Sequence, residues 1–163
     1  ELFNKKTRCD IQECNIKSWA IDSYIPEEYR KLFWSLLERE ELWDKIQPLP
    51  DSQKYIKKLN EEYNFYFATA THWTNATMKV RRLQRLYPFI DMYKQLIIAP
   101  KKQMINADLI LDDGEHNILG FNGNKLLYAQ PWNENFNCKE HGILRVNNWG
   151  EAYKGIHTLL PIE

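Results

Sequence analysis

Three short apolar runs, each ending in polar or charged residues, constrain this chain more than any other feature. Asn64 to Ala70 reads NFYFATA, Gln95 to Ala99 is followed by Pro100-Lys101-Lys102, and Leu109-Ile110-Leu111 runs directly into Asp112-Asp113. Runs this short, bounded by turn signals, fit buried strands rather than helices. Lys125 to Ala129 has the same character. Helical patterns separate them. Tyr55, Ile56 and Leu59 share one face of a helix that Asp51 is placed to cap, a second helix runs from about Asn75 to Tyr87 and stops at Pro88, and a third closes the chain from Gly150 to about Leu159. Strand–helix alternation with apolar strands predicts an α/β fold, a three-layer Rossmann-like parallel sheet with helices on both faces.

The first 47 residues read differently. They are helical and rich in aromatics, with Pro26 followed by Glu27 and Glu28 at a helix start, and with Leu32, Phe33, Leu36 and Leu37 at helical spacing. Pro48-Leu49-Pro50 marks a boundary. The expected organisation is therefore a helical segment, 1–47, followed by an α/β core, 48–163.

Composition narrows the function classes. The 163 residues carry 22 Lys+Arg against 22 Asp+Glu, a balance that argues against a protein coating nucleic acid or binding membranes through basic patches. No apolar run is long enough to span a bilayer, and the start, ELFNKKTRC, has neither a basic n-region nor an apolar h-region. Only six glycines occur, with no GxGxxG and no GxxxxGK[ST], which excludes P-loop and dinucleotide-binding Rossmann enzymes. Cys9, Cys14 and Cys138 are too few for a disulfide scaffold. A zinc site from Cys9, Cys14, Cys138 and His141 is the sharper reading, and reduced thiols in a cytoplasmic protein are the plainer one.

In α/β folds ligands bind outside the carboxyl ends of the strands. Those ends carry Thr69, Lys101-Lys102 and Asp112-Asp113. Two adjacent carboxylates after a buried strand are costly unless something positive holds them, and Mg²⁺ suits such oxygen ligands. Each feature alone has an ordinary explanation: a cap and turn for the acids, a solvated surface for the lysines, a strand residue for the threonine. A hydroxyl, a cation and a carboxylate pair ending successive strands together make the parts of a phosphoryl-transfer site.

At these residues the sequence resembles a known family. FYFATAT and KKQMINADLILDD look like motifs two, three and four of the haloacid-dehalogenase-like phosphohydrolases, with most similarity to the 5′(3′)-deoxyribonucleotidases. LWDKIQPLPDS resembles their junction between cap and core. The resemblance implies a small helical cap over the core and a Mg²⁺-dependent phosphomonoesterase acting on nucleoside monophosphates. It implies that Thr69 hydrogen-bonds the phosphate, Lys102 stabilises the phosphate and an aspartyl-phosphate intermediate, and Asp112 and Asp113 hold the metal. Lys79 falls where relatives carry a lysine near the phosphate, and Trp43 where they place an aromatic near the base; a core-facing Trp is the alternative there. The implied partner is a small phosphate ester rather than a nucleic acid polymer or a membrane. A homodimer is compatible with this reading.

The resemblance departs at the N-terminus. The family's nucleophile lies in a DxDxT/V motif ending a central strand, and no such motif precedes Ser18, where Asp10 stands alone; Asp22 beyond it is equally isolated. One expectation is that the full-length product carries this motif upstream of Glu1; the other is a chain that folds around the gap and is inert. In the gap, the strands near 65–69 and 109–112 would keep unpaired backbone edges. Alternatives to the nucleotidase are a phosphatase for another small phosphate ester and a non-catalytic binding module, in which His72, Trp73 and Trp132 form a surface patch.

Overall fold

The computed structural model describes residues 2–162. The N-terminal part contains α1 (Leu2–Thr7), α2 (Arg30–Leu37) and α3 (Glu40–Lys45), joined by short 3₁₀ turns. Pro26 stands immediately before one such turn, Glu27–Tyr29, which leads into α2. Phe3, Ile25 and Leu36 form the buried centre of this part, with Ile21, Tyr29 and Phe33 packed around them. Phe3 meets Tyr29 and Phe33 edge to face.

Beyond Pro50 the chain alternates as its pattern requires. The elements are α4 (Ser52–Glu62), β1 (Phe67–Thr69), α5 (Trp73–Leu86), α6 (Met92–Gln95), β2 (Leu96–Ile98), β3 (Leu109–Asp112), α7 (Glu115–Leu119), β4 (Asn124–Tyr128), β5 (Leu144–Val146) and α8 (Trp149–Leu159). Every strand pair is parallel. The fold is the expected Rossmann-like α/β arrangement. The short strand β5 and helix α7 are not legible in the sequence. Asp51 does sit at the start of α4, but in a left-handed backbone conformation (φ 60°) and without a side-chain capping bond.

The sheet is split. Among the described residues β1 pairs with β2 and β3 pairs with β4, which pairs with β5, so that β1 and β3 each pair along one edge there. Two apolar cores hold the halves together. One contains Leu59, Leu126, Val146, Ala152 and Ile156; the other contains Ile56, Tyr87, Ile90 and Met92. Helix α4 contributes Leu59 to the first and Ile56 to the second, and Phe65 and Trp149 pack against both. Along β4 the pleat sends Leu126 to the α4–α8 face and Leu127 to the opposite face, where Ile118, Cys138 and Ile143 cover it. Both faces are therefore occupied, which explains why the strands read as continuous apolar runs. Gly155 lets α8 approach this sheet closely: a Cβ there would stand 2.7 Å from a Leu144 methyl and 3.1 Å from one of Leu126.

Leu126 is fully buried, and its truncation leaves a cavity under α8. Leu126→Ala is expected to cost about 3 kcal/mol, read from urea or guanidinium midpoints at unchanged m-value.

Candidate active site

The carboxyl ends of β1 and β3 meet in one polar cluster. β1 delivers Thr69, 6% exposed, whose carbonyl accepts from Ala99 N at 3.0 Å as the chain leaves β2. Helix α5 follows β1 and carries Lys79 back toward it, where Nζ donates to Thr69 Oγ1 at 2.5 Å. After β2 the chain passes Lys101 into a 3₁₀ turn that begins with Lys102. Lys102 Nζ pairs with Asp112 Oδ2 at 2.5 Å, their side chains only 14% and 4% exposed. Asp112 Oδ1 accepts from Gly114 N at 2.8 Å and Asn117 Nδ2 at 3.0 Å. A buried carboxylate needs such partners, and this one has three.

Asp113 is held differently. Burial pushes its carboxyl above the usual range, and the neighbouring charge of Asp112 adds to this, only partly countered by Lys102. Its main-chain carbonyl accepts from Trp132 Nε1 at 3.2 Å and Asn133 Nδ2 at 2.9 Å. Lys79 is lowered, first by burial and then by Lys102, and feels both aspartates in the opposite direction. Thr69, Lys79, Lys102, Asp112 and Asp113 thus share one electrostatic neighbourhood. The two lysines and two carboxylates balance formally to zero.

Trp43 makes its described hydrogen bond within the N-terminal part. It lies in α3, where its indole N–H donates to Leu37 O at 2.7 Å, and none of its described bonds reaches the cluster. Instead Trp19 packs against His116 and Trp132, with ring centroids 5.2 and 5.9 Å apart, so the N-terminal part meets the core beside the acidic turn. Lys17 reinforces this with an exposed pair to Glu134 at 2.8 Å. On the other side, α3 is tied to α5 through Asp44 and Arg85 at 2.5 Å. His72 and Trp73 lie against each other at 5.6 Å, whereas Trp132 belongs to the Trp19 cluster. Cys138 is buried under β4, Cys9 packs on the N-terminal core and Cys14 is exposed; all are free thiols.

Asn117, Trp132, Asn133 and Arg145 contribute to this site without any sequence signal that assigns them to it. Asparagines in turns are so common that neither stands out, and only the apolar strand before each loop hints that the loop belongs to the carboxyl edge.

No group of three or more His, Cys, Asp or Glu among the described residues is arranged around a common metal position. The donor set fits a hard divalent cation nonetheless. Mg²⁺ is commonly held by one or two carboxylates and completes its shell with water and phosphate oxygens. A carboxyl raised by burial and by a second carboxylate is the electrostatic situation such an ion relieves.

The parallel α/β sheet and the threonine, two lysines and aspartate pair at its strand ends are what a haloacid-dehalogenase-like protein is expected to show. Comparison with known proteins gives the family: residues 1–160 match the model described as 5′ nucleotidase, deoxy (pyrimidine), cytosolic type C protein, and the chain belongs to this family of nucleotidases. Among its relatives, a 5′(3′)-deoxyribonucleotidase of Clostridium acetobutylicum is 25% identical over 150 residues, covering 92% of this chain and 81% of the relative. One from Bacillus subtilis is 30% identical over 146 residues, covering 86% and 78%. A putative 5′(3′)-deoxyribonucleotidase of Staphylococcus epidermidis is 26% identical over 154 residues, covering 93% and 83%.

The raised Asp113 carboxyl has a stability consequence. The folded state keeps its proton to higher pH than the unfolded chain does, so this group's contribution falls as pH rises through that window. Asp113→Asn is expected to be more stable than the parent at pH 7 in chelator. The two should converge once pH drops below the unfolded carboxylate value of about 3.9, as checked by urea denaturation across pH.

Proposed function

We propose that the protein is a Mg²⁺-dependent phosphomonoesterase that dephosphorylates (deoxy)nucleoside 5′- or 3′-monophosphates through an aspartyl-phosphate. The observation that carries this reading is the convergence of Thr69, Lys79, Lys102, Asp112 and Asp113 at the carboxyl ends of the split sheet. The names of the relatives, 5′(3′)-deoxyribonucleotidase, supply the substrate class.

The chemistry follows from charge. A phosphate monoester brings close to two negative charges to a cluster whose lysines and carboxylates cancel. Asp112 and Asp113 would hold Mg²⁺, which when bound offsets charge on the phosphoryl oxygens. In this reading Lys102 and Lys79 act on the phosphoryl oxygens as ammonium groups; their burial supports it, since such interactions are strong in a poorly solvated setting. Thr69 Oγ1 already accepts from Lys79, which leaves its own hydrogen free to be donated to a phosphate oxygen.

In this reading the attacking carboxylate belongs to a DxD motif that these 163 residues do not contain. Its oxygen forms a bond to phosphorus as the ester P–O bond breaks. The nucleoside oxygen takes up a proton and leaves. Water then attacks the acyl phosphate, releasing inorganic phosphate and regenerating the carboxylate. In this reading residues 1–47 are the cap, with Trp43 offering a ring face to the base. Three free thiols suit a reducing compartment, and the cytoplasm is the assigned location.

The test is a substrate panel on the protein translated together with its native upstream sequence. Nucleoside 5′- and 3′-monophosphates are expected to be hydrolysed in preference to sugar phosphates and p-nitrophenyl phosphate, and chelator should abolish turnover. Lys102→Ala is expected to lower kcat/KM by about a hundredfold or more. No preference for nucleoside monophosphates, activity that survives chelation, or an upstream sequence lacking an Asp-x-Asp strand end would overturn the corresponding part.

A further inference from the structure

Asn133 is 1% exposed and uses its whole hydrogen-bonding capacity. Its amide nitrogen donates to Asp113 O at 2.9 Å and Tyr128 O at 2.8 Å. Its amide oxygen accepts from Gln130 N at 3.1 Å and Arg145 Nη1 at 2.9 Å. Two carbonyl acceptors on one side and two N–H donors on the other fix the amide's orientation, since a flip would set all four against like partners. Arg145, from β5, braces the same loop, where its Nη2 donates to Asn133 O at 2.8 Å and Phe136 O at 2.9 Å. Trp132 adds a second donor to the same Asp113 carbonyl.

This network ends on Asp113. Asp112 is fixed through its carboxylate by Lys102, Gly114 and Asn117, whereas the Asp113 carboxyl meets only the Asp112 carboxyl and its own main chain and has no described ion pair. The direction of the Asp113 side chain is therefore set by its main chain, and the main chain is set by residues 132 and 133. A fully satisfied buried polar network holds one geometry, because every distortion leaves some group unpaired.

We propose that Asn133, assisted by Trp132 and oriented by Arg145, is a positioning residue of the acidic turn, and that it sets the affinity for the divalent cation by aiming Asp113 beside Asp112. The inference rests on the metal-dependent reading given above. It concerns residues whose described bonds reach the acidic turn through the Asp113 carbonyl.

Mn²⁺ binding in the presence of inorganic phosphate, followed by electron paramagnetic resonance, tests it without requiring turnover. Asn133→Ser is expected to weaken Mn²⁺ by about tenfold or more, and Trp132→Phe by a few-fold, with the double variant losing less than the product because both groups serve one carbonyl. Binding of inorganic phosphate alone to chelator-treated protein depends on Lys79, Lys102 and Thr69 and should stay at the parental value. Where Asn133→Ser fails to fold, Trp132→Phe decides, since that ring is partly exposed and keeps its packing. Parental Mn²⁺ affinity in the variants, or Mn²⁺ and phosphate affinities falling together in step with thermal stability, overturns the inference while leaving the metal-dependent reading in place. A parent protein that binds no Mn²⁺ overturns both.

Discussion

A carboxylate buried at the end of β3 is the constraint around which the carboxyl edge of the sheet is organised. Asp112 leaves water at a cost that only paired, hydrogen-bonded neighbours offset. Those neighbours come from three directions: Lys102 from the segment after β2, Gly114 from the turn itself, and Asn117 from α7. Because Lys102 lies beyond the split in the sheet, the ion pair also ties the two halves together at their carboxyl ends. The fold thus brings together by electrostatics, at this edge, what backbone pairing leaves apart.

On the opposite side of the split the fastening is apolar. Ile56 and Leu59, three residues apart on α4, enter different cores, and Trp149 spans both. One helix face bridging two sheets holds their relative position without strand pairing between β1 and β3. Trp149 has its indole N–H buried without a partner among the described residues. Buried donors are rarely left so.

Much of this is legible in the sequence because the determinants are local. Apolar runs ending at Thr69 and Asp112 mark strands, Pro88 ends α5, and ADLILDD places its acids at a strand end whatever the tertiary context. The convergence of Lys79 and Lys102 on Thr69 and Asp112 is not local, and in the sequence it shows only through family resemblance. What escapes altogether depends on long-range satisfaction of polar groups. Asn133 is a surface-type residue by composition, and only its 1% exposure with four partners reveals it as core. β5, three residues long, is defined by pairing with β4 rather than by any run of its own.

The resting arrangement bears on how such a site handles an anion. Lys102 is closed onto Asp112 while Lys79 is closed onto Thr69, so each cation has a partner inside the protein. In the proposed function a phosphate ester and a divalent ion enter together, and the exchange is nearly neutral in charge: the metal takes the carboxylates as the phosphate takes the ammonium groups. Either one entering alone would leave buried charge uncompensated, because the metal would compete with Lys102 for Asp112 and the phosphate would approach Asp112 and Asp113 without a counter-ion. In that reading, binding of the two would be coupled by the same Coulomb interactions that hold the resting cluster closed, and by linkage each would raise the affinity for the other by an equal factor.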